Sequence, residues 1–382
     1  MAGIYIHVPF CSQRCVYCDF YFVTTAKTHA PYVRALRQEI ERYGHTYGQR
    51  EPINTVYFGG GTPSLLRLDD IKLILTEVRD AFIVAELEEV TFEINPEDAT
   101  GPYLRGLREL GISRVSLGVQ SFFDEDLGFM NRAHDSKASE LSLDLIAETG
   151  FESYSADLIF GLPNQPPEYW GANLERIAGR RVPHISTYGL TIEDATPLAK
   201  QISLGHVAKP DDDSMADIYR FTMDYLTEQG YEQYEVSSFA LPGHHAVHNA
   251  RYWNHTNYIG FGPSAHSFWL DGSRATRWAN IRNVDRYVGL LESRTDPVEL
   301  REDLDFDTLG NEYIMLRLRT AEGLDLSVLS DRYGIDLYAE RVDDLAWLEA
   351  EGYIQPIRND RVTLAPKGKP LCDMVTSKLI LA

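Results

Sequence analysis

IYIHVPFCSQRCVYCDFYF, residues 4–22, runs an apolar segment of strand character straight into cysteines at 11, 15 and 18. The chain holds four cysteines in 382 residues, so nearly its whole thiol supply sits in this one loop. Three is an odd number and the spacing is too tight for local bridging, which argues against a disulfide framework. The apolar start is short and lacks a basic leader or a small-residue cleavage site, so the expected compartment is the reducing cytoplasm. There, clustered cysteines serve as metal ligands or catalytic groups. Zinc takes four ligands, usually from two CxxC pairs or from CxxC with a distant His pair. C-x3-C-x2-C has no second knuckle after it, and zinc would need a fourth ligand such as His7. A four-iron cluster suits the pattern more directly, because three thiolates hold three irons and the fourth keeps an open position.

Outward from this loop the chain alternates. Strands are expected at 4–8, 53–58, 89–94, 113–119, 151–160 and 184–190. Amphipathic helices are expected at 29–44, 68–83, 100–109, up to 149, 167–179 and 215–230. Apolar strands alternating with such helices predict parallel βα units with a covered sheet. The fold class is α/β, a partial (βα)6 barrel, whose functional residues belong on the loops after the strand C-termini. The motifs fall there in turn. FGGGTP (58–63) leaves backbone N–H groups open to close approach by a ligand. Glu93 ends the third strand, Gln120 ends the fourth with Arg132 following, and Gly189 ends the sixth. Asp157 lies within an apolar strand and needs a partner to offset burial.

C-x3-C-x2-C with Tyr17 before the last cysteine resembles the signature of radical S-adenosylmethionine enzymes. GGGTP, the strand-end Glu, GVQSF, NRxH and DLIxGLPxQ, in this order, resemble the oxygen-independent coproporphyrinogen III oxidase family over essentially the whole chain. The resemblance implies that Cys11, Cys15 and Cys18 hold a [4Fe–4S] cluster whose fourth iron takes exchangeable S-adenosylmethionine. It implies that Tyr5, Gly60, Gly61, Thr62, Glu93, Gln120, Arg132, Asp157 and Gly189 line the pocket for that cofactor.

Two departures choose the branch. The porphyrinogen-decarboxylating members carry a fourth cysteine where this chain has Phe20, and a substantial segment before the first strand where only Met-Ala-Gly stands here. HNxxYW, at His248, Asn249, Tyr252 and Trp253, resembles the signature of the HemW-type heme chaperones. Five histidines (244, 245, 248, 255 and 266) fall among Tyr252, Trp253, Tyr258 and Phe268. Imidazole ligates heme iron and aromatic rings suit a porphyrin face. His248, Tyr252, Trp253 and His266 are therefore the heme candidates, with His266 an alternative neighbour of S-adenosylmethionine. No C-x-x-C-H motif allows covalent attachment. The expected function is heme chaperone; the alternative is the oxidase, and no residue is assigned a catalytic role. The implied partners are heme, a heme-accepting apoprotein, a reductant such as flavodoxin or ferredoxin, and a second copy in a homodimer. Peripheral contact with a membrane during delivery is also implied.

The expected division is 1–240 for the barrel, 241–300 for the His/aromatic segment, and 301–382 for a winged-helix-like module. A formal net charge of −21 and an excess of acidic over basic residues in that module argue against nucleic acid. Cys372, in the module, reads as an uninvolved thiol, and no apolar run is long enough to span a membrane.

Overall fold

The computed structural model describes residues 1–25, 27–272 and 274–381. β1 (Ala2–Val8), β2 (Ile53–Gly60), β3 (Val84–Ile94), β4 (Arg114–Gln120), β5 (Ser153–Phe160) and β6 (His184–Gly189) are parallel neighbours in that order. The helices between them are α1 (His29–Tyr47), α2 (Leu68–Ala81), α3 (Gly101–Glu109), α4 (Asp124–Met130), α5 (Ser136–Thr149) and α6 (Pro167–Gly179). α7 (Pro197–Ser203) and α8 (Asp212–Glu228) follow β6. This is the expected partial barrel, with boundaries close to those read from the sequence; α7 was not foreseen.

The sheet does not stop at six strands. β8 (Ser238–Ala240) pairs antiparallel with β6, and β7 (Glu232–Gln233) pairs antiparallel with β8 at the edge. After the short helix α9 (Val247–Tyr252), β9 (Tyr258–Phe261) pairs parallel with β1 on the opposite edge. β10 (His266–Asp271), β11 (Arg274–Asn280) and β12 (Val298–Leu304) continue antiparallel from it, with α10 (Val284–Glu292) before the last. Among the described residues the result is one twelve-stranded sheet.

The strands alternate instead of running apolar on both faces, which corrects one step of the sequence reading. Ile4, Ile6 and Val8, then Val56 and Phe58, then Phe92 and Ile94, pack outward beneath the helices in the main core. With a period of two, the other face carries Tyr5 and His7, Thr55 and Tyr57, Thr91 and Glu93, Ser116, Asp157 and Ser186. The barrel lumen is therefore polar.

The C-terminal module packs a second core from α11 (Phe306–Leu318), α12 (Leu326–Tyr333), α13 (Leu337–Ala350) and α14 (Cys372–Leu379). β13 (Leu324–Asp325) pairs with β14 (Arg361–Val362) beside the wing. The wing turns at Asn359 and Asp360, both with positive φ, 51° and 55°, as a tight hairpin needs.

One buried carboxylate ties the added strands to the barrel. Glu39 of α1 accepts from Tyr287 Oη at 2.5 Å, Gly262 N at 2.9 Å and Asn280 Nδ2 at 2.6 Å. It thereby fixes the turn between β9 and β10 next to β1. Burial lifts its carboxyl to about 7 despite those donors. Glu39→Ala would leave the Tyr287 hydroxyl and the Gly262 amide without an acceptor and Asn280 Nδ2 with Gly262 O alone, an expected loss on the order of 3 kcal/mol. A urea denaturation midpoint unchanged from that of the parent protein would show that the turn does not depend on Glu39.

Candidate cofactor site at the barrel mouth

The cysteine loop is held from both sides. Cys11 N donates to Val23 O at 3.0 Å and Val23 N to Pro9 O at 2.7 Å, closing its base. Across the loop, Val16 N donates to Met130 O at 3.1 Å and Leu198 N to Val16 O at 2.9 Å. Asn131 Nδ2 donates to Arg14 O at 2.6 Å, so α4 and α7 clamp the segment that carries the thiols. Thr62 Oγ1 lies 3.5 Å from Cys11 Sγ and Arg132 Nη1 3.5 Å from Cys15 Sγ, each as donor.

All three thiols are free and partly exposed. Burial pushes Cys11 up to about 11, with the other two cysteines adding to the rise and Thr62 opposing it. Burial likewise raises Cys18. Crowded thiols that resist ionisation become thiolates only beside a strong positive charge, which iron supplies. Among the described residues no three His, Cys, Asp or Glu side chains gather tightly enough for a single ion; a cube takes each thiolate at a separate iron. Gly61 completes the fit, since a Cβ there would lie 2.9 Å from Val8 O and 3.1 Å from Cys11 Sγ. These residues suit a [4Fe–4S] cluster held by Cys11, Cys15 and Cys18.

Beside the loop, the strand ends bring most of the expected residues together. Glu93 accepts from Tyr57 Oη at 2.7 Å and from Gly60 N at 3.2 Å. Gly60 sits at φ 111°, where a Cβ would strike the His7 ring at 2.6 Å. Tyr5 Oη lies 3.2 Å from His7 Nδ1, and its ring stacks on Tyr57. Asp157 Oδ2 accepts from Ser116 Oγ at 3.0 Å, while Oδ1 has no partner among the described residues. Arg132 Nη2 reaches Asn95 Oδ1 at 2.7 Å and Gly118 O at 3.2 Å, with Nε unpartnered among the described residues. Asn95 Nδ2 in turn donates to Thr62 Oγ1 at 3.3 Å. Gln120 is buried with φ 66°, a left-handed conformation at the turn out of β4. Gly189 stands apart, its would-be Cβ facing Met215 and Phe160.

Sequence reasoning missed Tyr57, Asn95 and Ser116. The alternation in INTVYFGG would have put Tyr57 on the same face as Thr55 and Gly59.

The heme candidates lie in different surroundings. His248 is 2% exposed, with Nδ1 2.9 Å from Thr55 Oγ1 and Nε2 2.8 Å from Tyr252 Oη. Both ring nitrogens of His248 are thus hydrogen-bonded, at the N-terminal end of the barrel. Trp253 is the C-cap of α9. His244 Nδ1 meets Ser153 Oγ at 3.2 Å, His245 stacks on Tyr234, and His255 Nδ1 meets Tyr333 Oη at 2.8 Å inside the second core. His266, exposed at the start of β10, is the one of the five that opens on the mouth.

Comparison with known proteins agrees with this architecture. The Radical SAM superfamily model matches residues 5–177 and the HemN C-terminal domain model residues 304–371. The structure of coproporphyrinogen III oxidase from Escherichia coli, a radical SAM enzyme, superposes with a TM-score of 0.85 at 25% identity, covering 99% of this chain and 90% of that one. Heme chaperone HemW of Mycobacterium tuberculosis is 35% identical over 383 residues, covering 99% of this chain and 94% of its own. Heme chaperone HemW of Lactococcus lactis is 32% identical, covering 99% and 97%.

The chain belongs to the HemW family. HemW-type chains thus share the oxidase's barrel and C-terminal module, and in this one Phe20 stands exposed two residues after Cys18. No helix among the described residues is long and apolar enough to cross a membrane.

The lumen can hold a cation. Burial first, and then Asp157, raises Glu93 to about 7, while the Tyr57 and Gly60 donors pull it down. The titratable groups facing Glu93 are Asp157, Tyr57, Tyr5, Tyr188 and Tyr252. A sulfonium or ammonium group placed here favours the ionised carboxylate, so binding releases a proton below pH 7. Affinity of the cluster-loaded protein for S-adenosylmethionine is expected to rise about tenfold per pH unit towards pH 7 and then level off. Calorimetry in two buffers of different ionisation enthalpy checks this; identical heats in both would mean that Glu93 does not face the cation.

Proposed function

We propose that this protein is a heme chaperone that binds a [4Fe–4S] cluster, S-adenosylmethionine and heme, and passes the heme to an acceptor apoprotein. The near full-length relation to proteins named heme chaperone HemW carries the reading. Cys11, Cys15 and Cys18 hold the cluster, and Gly60, Gly61 and Thr62 meet the amino-acid end of S-adenosylmethionine. Tyr5, Glu93, Gln120, Arg132 and Asp157 surround its ribose and sulfonium, with Gly189 at the rim. When bound, the reduced cluster and this cofactor supply one-electron chemistry at the mouth. The chain's own part is to orient the sulfonium against Glu93 and Asp157 and to keep the cysteine loop rigid.

Heme rests at the mouth, where His266 offers an exposed imidazole and Phe20 and Tyr188 offer exposed rings. Burial and the nearby Arg277 and Arg282 lower the pKa of His266, which keeps the imidazole neutral and able to donate to iron at physiological pH. The protein acts in the cytoplasm, with a flavodoxin or ferredoxin as electron donor; an exposed cysteine loop leaves room for a homodimer contact.

Phe20, in place of a fourth cysteine, favours carriage over decarboxylation. Anaerobically reconstituted protein should bind one heme per chain and form no protoporphyrinogen from coproporphyrinogen III with S-adenosylmethionine and reductant. Binding should weaken at least tenfold in His266→Ala and persist in His248→Gln. Measurable carbon dioxide release from coproporphyrinogen III would replace the carriage reading with the oxidase one.

A further inference from the structure

We propose that HNxxYW is a floor built into the barrel, and that His248 is a positioning residue which seats Tyr57 and, through it, aims Glu93 at the mouth. The inference rests on S-adenosylmethionine occupying the lumen.

α9 enters the N-terminal end of the barrel and is fastened to two strands. Glu89 of β3 is 5% exposed and accepts from Val247 N and His248 N, both at 2.9 Å. Thr55 of β2 meets His248 Nδ1. These are the strands that carry Glu93, and Tyr57 with Gly60. Gly3 of β1 closes the fit, since a Cβ there would lie 3.1 Å from His248 Cε1.

The imidazole then lies under the phenol of Tyr57, ring centroids 5.2 Å apart and tilted by 32°. Tyr252 packs edge-on against the imidazole at 5.2 Å. Tyr57 is pinned between this floor and the Tyr5 ring, 6.0 Å away, so its hydroxyl has one direction to point. That direction is Glu93 Oε1, at 2.7 Å. Burial lowers His248 to about 3, so the ring stays neutral and supplies one N–H and one lone pair. Thr55 and Tyr252 use both, which explains why a histidine stands here.

The test uses His248→Ala, His248→Gln and Tyr57→Phe in the full chain. In cluster-free protein, the carboxyl stretch of Glu93 is isolated by infrared difference against Glu93→Gln and titrated. Tyr57 lowers the pKa of Glu93 by donating to it, so Tyr57→Phe and His248→Ala should both raise its midpoint, and His248→Gln should restore it. In cluster-loaded protein, the change that S-adenosylmethionine makes in the electron paramagnetic resonance spectrum gives its dissociation constant. His248→Ala and Tyr57→Phe should weaken it about tenfold, with heme stoichiometry intact.

Parent-like titration and affinity in His248→Ala would overturn the inference while leaving the functional reading standing. Loss of heme with an unchanged response to S-adenosylmethionine would return the motif to heme ligation. No response in the parent protein would remove both. Should His248→Ala fail to fold, Tyr252→Phe removes one hydrogen bond from the ring and must shift the same two readouts in the same direction.

Discussion

Turning a polar face of a parallel sheet inward is costly unless every inward group finds a partner, and this barrel is organised around that constraint. Tyr57, Ser116 and the amide of Gly60 satisfy much of what Glu93 and Asp157 demand. Among the buried side-chain atoms left without a partner in the described residues are Asp157 Oδ1 and Arg132 Nε, beside the cysteine loop and the strand ends. Carboxylate and guanidinium atoms left open side by side suit a ligand carrying both signs of charge.

The cysteine loop obeys a related logic. A thiol beside two others in a half-buried loop resists ionisation, so the loop has to be rigid before any metal can use it. Its base is zipped to Val23, and its outer turn is fastened by the end of α4 and the start of α7. Arg132 belongs to the cysteine loop and to the lumen at once, through Cys15 Sγ and Asn95 Oδ1. The metal centre and the cofactor pocket are therefore one hydrogen-bonded unit.

Much of this was legible in the sequence because it is local. C-x3-C-x2-C, GGGTP and strand-end Glu93 are each read within a few residues, and the βα alternation sets the barrel from periodicity alone. The pairing of β9 with β1 joins residues some 250 positions apart and leaves no local trace in the YIGF stretch. α7 has few helix-length cues, and its role depends on a contact with Val16. The histidine-rich segment reads two ways for a physical reason: imidazole suits heme iron, but it suits equally a buried site needing one donor and one acceptor. Only the fold shows that Thr55 and Tyr252 claim both nitrogens of His248.

The same segment also couples the lumen to the C-terminal module. Seven residues after His248, His255 enters the second core, against Tyr333 and with Glu312 at 3.7 Å. Its neighbour Asn254 accepts from the buried Arg317 of α11. Arg317 also donates to Gly323 O at 3.3 Å and pairs with Glu322, so it cannot follow Asn254 without disturbing the module's own turn. α9 is thus attached to β2 and β3, and the turn that follows it to the C-terminal module. The C-terminal module is in this sense an extension of the site's foundation.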